Sequence, residues 1–186
     1  MCDSSDLEVR TTEKGKSLFT KKEVKKGEVL LAFERNFVSR PSRFTLQIDE
    51  GVFQISSSPG TLENYINHSC DPNCYIDFSE LVFRARRKIR QGEELSFNYN
   101  TTEWDMERGT DKGFVCCCSA ENCVYKVRGF RYLSPEIKAV LRPILSPFLT
   151  KKLLRENARL QKNLQKSLQR KEVLLAQPIQ LLTPDN

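Results

Sequence analysis

The chain has 186 residues, 29% of them charged, with a formal net charge of +6. That length suits one domain with an appendage, and no stretch approaches the ~18 continuous apolar residues of a membrane-spanning helix. The opening MCDSSDLEVRTTEKGK lacks the apolar core of a secretory signal, so a reducing cytoplasmic or nuclear setting is expected. Seven cysteines, three of them consecutive at Cys116, Cys117 and Cys118, favour a metal site over a disulfide framework. Residues 1–150 carry 22 basic and 21 acidic side chains, whereas residues 151–186 carry 8 and 3. The basic character therefore belongs to the C-terminal fifth.

In chain order, the segments 17–21, 29–33, 44–48, 75–78 and 81–85 are short and rich in β-branched or aromatic residues. Gly or Pro lies near most of their ends, as at Gly15, Gly27, Pro41, Gly51, Pro72 and Gly92, which predicts short strands joined by turns. Before residue 130 nothing predicts a helix beyond about two turns, so the core should be mainly β. Ser134 followed by Pro135 predicts a capped helix start, and Pro143 and Pro147 divide the stretch after it. From Lys151 to about Ala176 there is neither Gly nor Pro, and Leu, Lys, Arg, Gln and Glu predominate. A helix of roughly 25 residues follows.

Three motifs occur within 57 residues: Asn67-His68-Ser69-Cys70-Asp71-Pro72-Asn73-Cys74, then Gly92-Glu93-Glu94-Leu95-Ser96-Phe97-Asn98-Tyr99, then Cys116-Cys117-Cys118 with Cys123. The last contains C-x-C-x4-C, a spacing from which three thiolates can reach one zinc ion. His68 is the sole histidine, which leaves Ser-His or Cys-His hydrolysis without a second candidate base.

On these motifs, residues 6–133 resemble the SET-domain protein lysine methyltransferases that carry a cysteine-rich post-SET segment, in their small free-standing form. The resemblance implies a mainly β SET fold of small sheets with knot-like C-terminal threading, a zinc-bound post-SET loop and a C-terminal helix. It divides the chain into a SET domain at 1–112, a post-SET zinc segment at 113–133 and a helical extension at 134–186. It implies transfer of methyl groups from S-adenosylmethionine to a protein lysine. Tyr99 matches the family's active-site tyrosine, whose phenolic oxygen can orient the attacking amine. Phe97 would line the lysine channel, and its lack of a hydroxyl points to di- or trimethyl-lysine as product. Asn67 and His68 would border the cofactor, as would Gly15, Lys16, Ser17 and Leu18, where the family shows G-x-G. Ser17 replaces the second glycine and requires a negative φ. Trp104 would cover the adenine face or wall the channel. The family's fourth zinc ligand is the cysteine of NHSC, here Cys70, beside Cys116, Cys118 and Cys123, with Cys74 and Cys117 as alternative ligands. Ser119 stands where many members carry glycine. A catalytically silent, zinc-braced binding module is the second reading, and the Ser17 departure is its main support.

On a helical wheel, Leu153, Leu160, Leu164, Leu168 and Leu175 fall within roughly 80°. Lys151, Lys152, Arg155, Arg159, Lys162, Lys166 and Arg170 fall within about 100° on the opposite side. A strict heptad is absent. The leucine face is expected to pack on the core or on a twin subunit, and the basic face could contact a polyanion.

Overall fold

The computed structural model describes residues 3–42, 44–56, 58, 60–108 and 112–175. The chain separates into two compact units, Met1–Thr150 and Lys151–Asn186.

In the first unit, β1 (Leu7–Thr12) and β2 (Gly15–Thr20) form an antiparallel hairpin in which Thr12 faces Gly15. Gly15 closes the turn at φ +102°, a conformation that side chains resist. After β3 (Val29–Ala32), β4 (Phe37–Val38), β5 (Thr45–Asp49) and β6 (Val52–Ile55) make a separate antiparallel sheet in the order β4-β6-β5. Next comes β7 (Asn67–His68). The hairpin of β8 (Cys74–Asp77) and β9 (Val82–Ala85) then joins β3 in the order β3-β9-β8. β10 (Ser96–Phe97) returns to pair parallel with β7, placing Phe97 beside His68. β11 (Phe114–Val115) and β12 (Lys126–Val127) form the last antiparallel pair.

These small sheets enclose one apolar core that includes Leu18, Leu30, Ile66, Phe83, Ile89 and Leu95. Phe97 belongs to it, with Tyr99 packed against its edge. The sheets are too small to bury themselves individually, so this core depends on the sheets before β11 meeting, whereas Val127 of β12 packs in a second cluster with Cys70 and Cys116. The fold is thus mainly β, with helix confined to short 3-10 turns before residue 134 among the described residues. Helix α1 (Pro135–Leu141) starts as the sequence predicts, since the Ser134 hydroxyl accepts from the Ile137 N–H.

Helix α2 (Pro147–Leu175) begins four residues before the start at Lys151 that the sequence predicts. Pro147 occupies its first turn, where a missing N–H costs nothing, and the Ser146 hydroxyl accepts from the Leu149 N–H. Phe148 and Leu149 are buried, so the first turn belongs to the core unit. From Lys151 onward α2 forms the second unit, where Leu160, Leu164 and Leu168 are exposed. No described helix is long and apolar enough to cross a membrane.

Candidate active site and metal centre

The parallel pairing of β7 and β10 brings the first two motifs together. Tyr99 lies two residues past the end of β10, and its hydroxyl donates to the carbonyl of Ile66 at 3.1 Å. The ring lies 4.7 Å from Phe97, 5.4 Å from His68 and 6.0 Å from Phe114, centroid to centroid. Phe97 sits between Tyr99 and Phe83, 5.2 Å from the latter. One aromatic residue thus joins the core to the half-buried tyrosine.

The buried side chain of Asn73, in the first motif, stitches this arrangement in place. Its amide donates to Glu93 and to the Glu94 carbonyl, and its oxygen accepts from the Ser96 N–H at 2.9 Å. Asn67 does the same for β2, its amide donating to the Ser17 hydroxyl at 2.8 Å, the Lys16 carbonyl at 3.2 Å and Glu94 at 3.2 Å. Ser17 is fully buried in regular β2 and is not among the non-glycine residues with positive φ. The condition for a serine in place of the second glycine is met. Leu18 is buried as well and anchors the Leu95 N–H through its carbonyl.

His68 faces two ways. Its Nδ1 accepts from the Tyr99 N–H at 3.1 Å, and its Nε2 lies 3.4 Å from the Cys70 sulfur. With Nδ1 engaged as acceptor, the neutral ring carries its proton on Nε2, towards the sulfur. Burial holds this imidazole neutral, with its pKa lowered to about 4.

Cys70, Cys116, Cys118 and Cys123 converge, with their sulfurs all within 4.8 Å of one another. Cys70 and Cys116 are 3.9 Å apart, close to the edge of about 3.8 Å in a tetrahedron of 2.3 Å zinc–sulfur bonds. Cys74 instead lies in the core with its thiol on Asn73, and Cys117 is exposed. The sulfurs collect main-chain donors: Val124 to Cys70, Cys70 to Cys118 and Tyr125 to Cys123. Burial pushes Cys70 up, and Cys116 to about 11. At Cys118 burial also opposes the charge, but N–H donors from Cys70 and Ala120, together with the Cys116 and Cys123 thiols, outweigh it and hold that thiol at about 6. An all-thiol tetrahedron with donors already aimed at the sulfurs fits a zinc ion. The two non-glycine residues with left-handed backbone near the cluster are Ser119 (φ +56°) and Tyr125 (φ +57°).

A clasp holds the cysteine segment to the strand end. Phe130 donates to the Glu103 carbonyl, Arg131 to that of Trp104, and Met106 to that of Arg128. At its centre Gly129 donates to the Asn100 side chain, and a Cβ there would stand 2.6 Å from the Trp104 carbonyl. The Trp104 ring packs on buried Phe130, 6.2 Å between centroids. Sequence reasoning passed over Ile66, Asn73, Phe114 and Asn100, which act through carbonyls, amides or an exposed ring and follow no spacing rule.

With this geometry the chain was compared with known proteins. The family model described as "SET domain" matches residues 15–100. The fold over these residues is SET-like. Over 86 residues the chain is 37% identical to the histone-lysine N-methyltransferase trr of Drosophila melanogaster, covering 43% of this chain and 3% of that protein. It is 30% identical over 142 residues to a histone-lysine N-methyltransferase, H3 lysine-36 specific, of Chaetomium globosum, covering 65% and 15%. The chain therefore spans a small part of each relative. Among solved structures, Arabidopsis thaliana SUVH6 in complex with SAM gives a TM-score of 0.54 at 21% identity, covering 64% of this chain and 32% of that one. KRYPTONITE in complex with mCHH DNA, an H3(1-15) peptide and SAH gives 0.53 at 22%, covering 64% and 29%. At such identity these two bear on the fold of the SET domain alone.

Proposed function

We propose that this SET domain transfers methyl groups from S-adenosylmethionine to the side-chain amine of a protein lysine. The observation that carries the reading is the Tyr99 hydroxyl, whose proton is committed to the Ile66 carbonyl. A hydroxyl held that way meets an incoming amine as an acceptor. By taking one N–H of the amine it fixes where the nitrogen lone pair points, which is catalysis by orientation. The rings of Phe97, His68 and Phe114 around it favour a neutral amine over an ammonium, because desolvation depresses a lysine pKa. No strong base is needed, and His68, neutral and engaged on both nitrogens, is a positioning residue.

The cofactor would lie along Gly15, Lys16, Ser17 and Leu18, against Asn67 and His68, with Trp104 as an aromatic wall. The residues fit such a ligand: the space around Gly15 is open for 4 Å where a Cβ would stand, and Asn67 is hydrogen-bonded to the same strand. When bound, S-adenosylmethionine supplies an electrophilic methyl group on a sulfonium. Zinc on Cys70, Cys116, Cys118 and Cys123 would hold the post-SET segment beside Tyr99, because Cys70 lies on the loop leaving β7. Histone tails are the first substrate class to examine, given the relatives' names. Phe97 supports di- or trimethyl-lysine as product.

Ser17 sits in β2 without a positive φ, which favours the methyl-transfer reading over a catalytically silent binding module. The test is calorimetric binding of S-adenosylmethionine followed by radiolabelled methyl transfer to histone and non-histone proteins. Binding with transfer to lysine is expected. Absence of binding at high cofactor concentration defeats the proposal.

A further inference from the structure

The second unit carries a feature that methyl transfer does not use. On α2, positions 153, 157, 160, 164, 168, 171 and 175 fall on one stripe, with spacings of 4, 3, 4, 4, 3 and 4. This is an eleven-residue repeat, which explains why no heptad is found and gives a seam with slight right-handed drift. The order of spacings reads the same in both directions about Leu164. Leu160, Leu164 and Leu168 on this stripe are 65%, 61% and 51% exposed, and Leu153 is half-buried.

We propose that α2 pairs with α2 of a second copy of the chain, antiparallel, on a two-fold axis at Leu164. In that register Leu164 meets its own counterpart and Leu160 meets Leu168. The two polar residues of the stripe, Asn157 and Lys171, then meet each other. Apolar faces apolar along the described seam, and the Lys171 ammonium donates to the Asn157 amide oxygen. A closed isologous interface needs this self-complementarity. In a parallel pair Lys171 would lie against its own copy, a like-charge contact inside the seam, whereas the antiparallel pair also opposes the helix dipoles. Beside the seam stand uncharged Gln161, Asn163, Gln165 and Ser167 near the axis, with Glu156 and Glu172 towards its ends. The basic arc from Lys151 to Arg170 lies on the far side of each helix, away from the seam. The three exposed leucines, with Leu153 and the stems of the flanking side chains, remove on the order of 1,000 Å² from water across the pair. That is the lower bound for a specific interface, so the dimer is concentration-dependent.

Sedimentation equilibrium of the full chain tests this. A monomer–dimer equilibrium is expected. Leu164→Lys sets two ammoniums on the axis and should weaken it at least about tenfold, with the near-ultraviolet spectrum of the core unit unchanged. Asn157→Glu faces Lys171 of the other copy and should tighten the dimer, whereas a parallel pair would be weakened by it. A wild-type chain that stays monomeric at its highest soluble concentration overturns the proposal, as does a dimer indifferent to Leu164→Lys. Monomers that bind anionic phospholipid vesicles through these leucines overturn it too.

Discussion

The hydroxyl of Tyr99 gives its proton to the main-chain carbonyl of Ile66, a residue that is itself almost wholly buried. The acceptor cannot move without disturbing the core, so the direction of the phenolic oxygen is set by the fold. Tyr99→Phe removes the oxygen and leaves the ring packing on Phe97, His68 and Phe114. Turnover should fall at least about tenfold, equivalent to about 1.4 kcal/mol of transition-state stabilisation, with cofactor affinity nearly unchanged. Single-turnover kinetics alongside calorimetry separate the two, and undiminished turnover would remove Tyr99 from the mechanism.

Metal content is expected at one zinc per chain. Cys118→Ser should lose the metal and methyl transfer together while the β core stays folded, because the cluster of Cys70, Cys116, Cys118 and Cys123 is packed apart from the main core. Elemental analysis and circular dichroism check both halves. Zinc-free wild-type protein, freshly purified, would contradict the assignment.

Phe97 abuts both Phe83 and Tyr99, so a new para hydroxyl could enter either the core or the channel. If the channel reading holds, Phe97→Tyr shifts the product towards monomethyl-lysine at similar cofactor affinity. If the ring serves packing alone, the added hydroxyl lowers stability and leaves the product pattern untouched. Mass spectrometry of a methylated substrate over time, with thermal unfolding in parallel, distinguishes these outcomes.

Ser119 adopts φ +56° inside the cysteine loop. Left-handed backbone costs a side-chain-bearing residue roughly 1 kcal/mol that glycine does not incur. Ser119→Gly should therefore stabilise the loop, by about 0.5 kcal/mol once the extra entropy of an unfolded glycine is subtracted. Slower zinc loss to a chelator is the readout, and faster loss would mean that serine contributes a contact of its own.

Glu103 is largely buried at the clasp, and that burial raises its carboxyl from 4.5 to about 7, only partly countered by the Thr102 hydroxyl. A raised acid stabilises the fold fully below its unfolded pKa, and that contribution is lost as pH climbs through the folded value. Wild type should thus weaken between about pH 5 and pH 8 relative to Glu103→Gln, by on the order of 2 kcal/mol. Denaturant unfolding of both proteins across that window measures it. Parallel curves would show that Glu103 does not titrate there.

Much of this was readable beforehand, for identifiable reasons. Strands such as 29–32, 74–77 and 82–85 announce themselves because burial on one face selects β-branched and aromatic residues. Ser134-Pro135 announces α1 through cap chemistry. β7 and β10 do not, since a pair of two-residue strands is created only when distant segments meet. The four cysteines in the cluster are chemically distinctive, and spacing alone found three of them. What spacing could not rank was Cys70 against Cys74: the two are four residues apart, yet Cys74 points into the core from β8 while Cys70 stays on the loop before it. The hydrogen bonds of Asn73 and Ile66 were likewise invisible, because amides and carbonyls acquire meaning only from position.

The separation in sequence between Cys70 and the other three cysteines of the cluster bears on how a metal site there would assemble. Cys116, Cys117, Cys118 and Cys123 lie within eight residues, so an unfolded chain offers four thiols almost without loop closure. The native set instead requires closing a loop of 46 residues, at an entropic cost that grows with the logarithm of its length. A metal ion arriving before the chain has folded would therefore meet the local thiols of Cys116, Cys117, Cys118 and Cys123 first, whereas the folded protein offers Cys70 in place of Cys117.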